Sequence, residues 1–194
     1  MTEARVRLDT SSARATHALG VRLGRLLRPG DVIALVGDLG AGKTQLVRGA
    51  CAGAGVPESE VSSPSFAIVA TYAGRIPVHH ADLYRIADED ELYGTGFGDL
   101  VGGEGALLVE WADRIPGAMP AGRLTITLAH DDRKPDVRHV ELLGVGERAA
   151  ALAKKLGNRG RGRGRERERR RRGARSKTKT KTRSKSRTRS RSHQ

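Results

Sequence analysis

The stretch "DVIALVGDLGAGKTQLVRG", residues 31–49, constrains this chain more than any other, because an apolar run feeds a glycine loop and the loop feeds a helical pattern. Gly37, Gly42, Lys43 and Thr44 meet the spacing G-x-x-x-x-G-K-[ST], in which backbone N–H groups turn inward and cradle the oxygens of a nucleoside triphosphate. A glycine-rich turn beside a helix is the plain alternative. Against it stand the strand pattern before the loop and the helix expected after it, from Lys43 to about Ala52, whose N-terminus aims at phosphate. Lys43 is also the only lysine before Lys134 in a chain that otherwise prefers arginine. A compact ammonium suits the space between β- and γ-phosphates.

Around this centre the patterns alternate. "RVRLDT" reads as a short strand, and Thr10, Ser11 or Ser12 can cap a helix whose Leu19, Leu23, Leu26 and Leu27 form one apolar face before Pro29-Gly30. "FAIVATYA" and "IPVHHADLY" predict a hairpin turning at Gly74-Arg75, and "RLTITLAH" with "VRHVELLGV" predicts a second. "DEDELYG" predicts a short acidic helix, and "GTGFGDLVGGEG" a loop with one helical turn. "ALLVEW" is a buried strand, and "GERAAALAKKLG" closes the body as a helix ending at Gly157. The expected class is α/β: a single small P-loop NTPase domain, residues 1–157, with a mixed, largely central β-sheet flanked by helices.

Charge separates this body from the C-terminal segment. Residues 159–194 hold 14 Arg and 4 Lys against Glu166 and Glu168, a net +16, so with +14 for the whole chain the first 158 residues carry −2. A nucleic-acid label drawn from the overall charge therefore belongs to the tail alone. With Ala174 as its only apolar residue, the tail, residues 158–194, is expected to be disordered and to bind RNA by counterion release, without sequence preference. A solvated extension with no specific role is the bland reading of such a segment. Cys51 is the single cysteine, so no intramolecular disulfide forms, and it reads as a small core residue. The N-terminus lacks the apolar stretch of a secretory signal and no run approaches the ~20 apolar residues of a membrane span, so a cytoplasmic location with no membrane partner is expected.

A triphosphate travels with Mg²⁺, which takes oxygen ligands. Thr44 supplies a hydroxyl, and two carboxylates, Asp82 and Glu110, lie at the ends of apolar strand patterns; Glu110 emerges beside the loop if the two strands are neighbours. The plain alternative for either acid is a strand-end carboxylate facing solvent or paired with Arg85 or Arg114. His79 and His80 adjoin Asp82, yet no zinc-like spacing accompanies them, and they read as structural histidines. The guanine signature N-K-x-D is absent, Asn158 being the only asparagine, which favours adenine by elimination.

Four motifs in order, "GDLGAGKTQLVRG", "SSPSFAIV", "HADLYR" and "VEWADR", resemble the TsaE (YjeE) family, small bacterial ATPases of tRNA threonylcarbamoyladenosine biosynthesis, over roughly residues 5 to 156. The resemblance implies that Asp38, Leu39, Gly40, Ala41, Gly42, Lys43 and Thr44 hold ATP, that Thr44 and Glu110 approach Mg²⁺, and that Thr16 lies near the adenine. It places Asp82 toward the γ-phosphate, so that Lys43, Asp82 and Glu110 form the catalytic set, and it makes Ser62 to Phe66 a switch-like loop. It also counts Ser65 among the ATP-binding residues, where the family usually has threonine; the hydroxyl stays while the β-branched methyl is lost. Trp111, the only tryptophan, either lines the site or packs beside Glu110. The implied partners are TsaB and TsaD proteins and, through them, tRNA.

Two other functions compete. A small-metabolite kinase would share the loop but needs an arginine-bearing lid, and "GTGFGDLVGGEG" contains no arginine. A nucleotide-regulated RNA-binding module would draw its affinity from the tail.

Overall fold

The structure, a computed structural model, describes residues 1–61 and 68–158; the expected switch-like loop with Ser65 and the basic tail from Arg159 lie outside them. Within Met1–Gly157 the strands are β1 (Glu3–Thr10), β2 (Val32–Val36), β3 (Val69–Tyr72), β4 (Val78–Asp82), β5 (Ala106–Glu110), β6 (Leu124–His130) and β7 (Arg138–Val145). They form one sheet in the order β1-β7-β6-β2-β5-β4-β3. β6, β2, β5 and β4 run parallel, while β3 on one side and β7 with β1 on the other pair antiparallel. The two expected hairpins are β3–β4 and β6–β7.

Burial explains the sequence patterns strand by strand. β2 (VIALV) and β5 (ALLVE) are continuously apolar because both of their faces are covered. β6, β7 and β1 alternate because only one of their faces is packed, with Arg5, Arg7, His139 and Thr127 on the other. The apolar interior accordingly divides in two. One layer packs α1 (Ala13–Gly24), α2 (Lys43–Gly53) and α5 (Glu147–Gly157) on the sheet through Leu23, Leu46, Leu152 and Leu156. The opposite layer, around Leu83, Leu92, Phe97 and Leu107, is closed by the short helices α3 (Glu89–Tyr93) and α4 (Phe97–Leu100). α3 follows an aspartate cap: the Asp88 side chain accepts from the Glu91 N–H, while Glu91 reaches back to the Ala87 N–H.

The feature that positions the phosphate loop is the contact between α1 and α2. Gly20 and Gly24 of α1 face Gly49 and Gly53 of α2 so closely that a methyl group at Gly24 would land on the Ala50 carbonyl oxygen, and one at Gly49 on that of His17. Backbone meets backbone, which only residues without a side chain permit. α1 begins where expected, its Ser12 hydroxyl accepting from the Ala15 N–H, but it ends at Gly24, well before Pro29. Leu26 and Leu27 therefore belong to the turn after the helix, where the Leu26 and Leu27 N–H groups both donate to the Leu23 carbonyl and both side chains still reach the core.

Candidate functional site

β2, β4 and β5 end side by side, and the site is built at their carboxyl edge. This is the edge where open α/β sheets bind ligands. Leu35 of β2 is in register with Glu110 of β5, and Glu110 with Asp82 of β4, so the two acids named from the sequence are immediate neighbours. β2 then enters the loop. Gly37 adopts φ 143° and a side chain there would strike the Leu128 carbonyl; Gly42 adopts φ 102° and opens α2 without a side-chain cap. The first-turn N–H groups of α2 thus carry no side-chain cap and are suited to an anion.

The buried polar residues converge here. Among the described residues, Thr10, Thr16, Lys43, His80 and Glu110 account for all but one of the buried polar or charged residues, the exception being Asp31, which Arg148 clamps with two hydrogen bonds at the far end of the sheet. The Lys43 ammonium donates to the carbonyls of Gly37 at 2.5 Å and Asp38 at 2.9 Å, and lies 3.6 Å from the centroid of the Trp111 ring. Burial holds its pKa below the usual lysine value, against the opposing pull of Glu110, Asp113, Asp82 and Asp38. The Thr44 hydroxyl donates to Glu110 Oε2 at 2.9 Å, and Glu110 Oε1 lies 2.9 Å from His80 Nε2. Asp82 Oδ1 accepts from the Tyr84 N–H at 3.0 Å.

A cleft of about 370 Å³ opens above these groups, lined by Leu39, Gly40, Gly42, Lys43, Thr44, Asp82 and Glu110 among the residues read from the sequence. Ala41 is buried beneath the loop. Thr16 is outside the lining: its hydroxyl shares a 2.8 Å hydrogen bond with Thr10, and its methyl stands behind Gly42. Trp111 takes the first of its two expected places and lines the cleft, and the structure adds Gln45, Tyr84 and Arg85 to the walls. Trp111 reaches them from a left-handed backbone, φ 58°, a conformation that costs a bulky residue roughly 1–2 kcal/mol and that turns the chain sharply at the end of β5. The Tyr84 ring packs against it in a tilted arrangement, centroids 5.0 Å apart.

One contributor had no signal in the sequence. Arg138, at the start of β7, donates from Nε to the Ala41 carbonyl at 3.2 Å and from Nη2 to that of Gly40 at 3.4 Å, bracing the loop from outside. Nη1 of the same side chain donates to the nearby carbonyls of Pro135 and Val137, but the two loop carbonyls lie far away in sequence and no motif encodes them. Among the described residues no three His, Cys, Asp or Glu side chains are grouped to hold a metal by themselves. The donor pair of Thr44 and Glu110 instead fits Mg²⁺, which takes few protein ligands and completes its shell with phosphate oxygens and water. Cys51 lies in the core, its thiol pushed up to about 12 by burial. No helix among the described residues is long and apolar enough to cross a membrane.

A glycine loop between a buried parallel strand and a helix, with its lysine and threonine facing a strand-end carboxylate, defines a P-loop NTPase-type domain. Residues 10–140 match the family model described as Threonylcarbamoyl adenosine biosynthesis protein TsaE, and the chain belongs to that family. It is 37% identical to the tRNA threonylcarbamoyladenosine biosynthesis protein TsaE of Bacillus subtilis over 150 residues, 76% of this chain and 90% of the relative. It is 38% identical to that of Treponema pallidum over 123 residues, 63% and 90% respectively, and 38% identical to that of Streptomyces coelicolor over 138 residues, 68% and 92%. The crystal structure of Bacillus subtilis YdiB superposes with a TM-score of 0.67 at 30% identity, covering 81% of this chain and 97% of that one.

Proposed function

We propose that this protein binds and hydrolyses ATP as a component of the machinery that makes threonylcarbamoyladenosine in tRNA, working with TsaB- and TsaD-type proteins. The observation that carries the chemical part is the Thr44–Glu110 hydrogen bond beside the buried Lys43 ammonium, at the carboxyl edge of three parallel strands. In this reading the loop N–H groups from Asp38 to Thr44 and the Lys43 ammonium bind the β- and γ-phosphates, with charge-assisted hydrogen bonds that strengthen as charge develops on the transferred group. Thr44 and Glu110 would hold Mg²⁺, which supplies charge neutralisation on the phosphate oxygens. Asp82, next to Glu110 and at the cleft wall, would orient the attacking water for in-line displacement. Trp111 and Tyr84 give the cleft an aromatic wall.

Support for the pathway comes from the family and from relatives that carry its name over 90% of their own length. The tRNA contact is assigned to the partner proteins and to the basic tail, whose +16 net charge attracts any polyanion. Phosphate release from ATP with no acceptor present, measured for the full chain alone and with the two partner proteins, tests the reading. Release that rises with the partners and disappears in Lys43→Ala supports an ATPase. Phosphate that appears only when a small-molecule acceptor is added makes the protein a kinase, and wild-type release by Lys43→Ala places the phosphate site elsewhere.

A further inference from the structure

His80 is wholly buried, on the strand that ends with Asp82, and its neighbours across the sheet are Ala70 and Leu108. Its Nε2 faces Glu110 Oε1 at 2.9 Å, whereas its Nδ1 is buried with no hydrogen-bond partner. A carboxylate oxygen only accepts, so Nε2 carries the proton and donates. Nδ1 is then left as a bare lone pair, since an unpaired N–H there would be the costlier orphan. Replacing His80 alone by an apolar side chain would strand the buried Glu110 oxygen, while the imidazole leaves its own Nδ1 unpaired, so its place is set by the Glu110 carboxylate. Packing alone does not account for a histidine here.

We propose that His80 is the positioning residue of the phosphate site, holding Glu110 so that its second oxygen stays on Thr44; the inference rests on the ATP-site reading above. Glu110 has two oxygens and two donors, the His80 imidazole on Oε1 and the Thr44 hydroxyl on Oε2. Together they fix the plane of the carboxylate. Because the Thr44 hydroxyl spends its proton on Glu110, its lone pairs are left for a cation. Without the imidazole, Glu110 is free to rotate about its terminal torsion, Thr44 loses its fixed acceptor, and both oxygen donors to Mg²⁺ are misplaced together. His80 itself does not line the cleft; it acts through Glu110 alone.

The test uses the full chain and the fluorescence of Trp111, the only tryptophan, which lines the cleft. ATP affinity is titrated with Mg²⁺ and again in EDTA, and the gain due to Mg²⁺ is the readout. His80→Leu is expected to cut that gain by about 10- to 100-fold, the range for loss of a residue supporting a metal ligand, while leaving affinity in EDTA nearly unchanged. His80→Gln should recover most of it, because the Gln amide nitrogen reaches the place of Nε2. Should His80→Leu fail to fold, His80→Asn serves, being equally polar but too short to reach Glu110. A full Mg²⁺ gain in His80→Leu or His80→Asn would overturn the proposal. So would equal loss in the Gln and Asn variants accompanied by equal falls in melting temperature, which would make His80 a packing residue. A wild-type protein that binds ATP with no gain from Mg²⁺ overturns the His80 role alone; one whose fluorescence ignores ATP altogether overturns the ATP-site reading as well.

Discussion

The ammonium of Lys43 lies 3.6 Å from the centroid of the Trp111 ring, with both residues on the wall of one cleft. A buried cation held over an aromatic face is placed before any phosphate arrives. Its environment nonetheless disfavours the charge, since burial holds the Lys43 pKa below its ordinary 10.5. Lys43→Met, of similar volume and uncharged, should therefore keep the melting temperature of the nucleotide-free protein while lowering ATP affinity by at least about 10-fold, the loss expected for hydrogen bonds to a charged group. Thermal melts with and without ATP check both halves. In the wild type, ATP affinity should fall as pH rises through the lowered Lys43 pKa, earlier than an ordinary lysine would dictate.

Asp82 and Glu110 share one register position yet face different partners, the Tyr84 N–H for the first and Thr44 with His80 for the second. Asp82→Asn is expected to lower turnover about 100-fold or more with little change in ATP affinity, as removal of a water-orienting carboxylate does. Glu110→Gln should instead raise the Mg²⁺ concentration needed for half-maximal activity. Steady-state rates across an Mg²⁺ series with partners present separate the two, and unchanged turnover in both would demote them to structural acids.

The glycine contact between α1 and α2 predicts a steep penalty for one methyl group. Gly24→Ala and Gly49→Ala each drive a Cβ into opposing backbone, at a cost of about 1–3 kcal/mol or more. Gly98→Ala is the control, because a Cβ there meets only the Tyr93 ring at an ordinary 3.5 Å. Urea unfolding should show a lower midpoint for the first two and an unchanged or slightly higher one for the third, since alanine favours a helix over glycine.

His139 pairs with Asp9 at 2.9 Å and Asp131 at 3.1 Å on the exposed face of β7, and the Asp9 hydrogen bond holds its pKa above 6.5. A raised folded-state pKa means that the pair stabilises fully below the unfolded value. That contribution should fade as pH rises through the raised pKa. Melting curves for the wild type and Asp9→Asn should differ most below pH 6.5 and converge above the raised pKa.

Truncation after Gly157 tests the tail. Without the residues that carry +16, ATP affinity should stay near wild type, while RNA binding at low salt and its steep dependence on salt should largely vanish. Filter binding of unmodified tRNA across a salt series decides it, and a truncated chain that holds tRNA as tightly as the whole one removes the tail from RNA binding.

What the sequence determined by itself is local. "DVIALVG" followed by Gly42-Lys43-Thr44 dictates strand, loop and helix because each step is a property of adjacent residues, and the two hairpins arise from turn residues between alternating runs. The order of the strands, and with it the site, was decided only in three dimensions. Thr44 and Glu110 are 66 residues apart, and their hydrogen bond exists because β5 rather than some other strand lies beside β2. His80 read as a structural histidine, since nothing around it in sequence says that its imidazole meets Glu110 from the neighbouring strand. Arg138 had no signal at all, because it holds carbonyls that every residue possesses. Periodicity encodes which face of an element is apolar; it carries no label for the element that will cover it, and in this protein that choice is what brings the Lys43 ammonium, the Thr44 hydroxyl and the Glu110 carboxylate to one edge of the sheet.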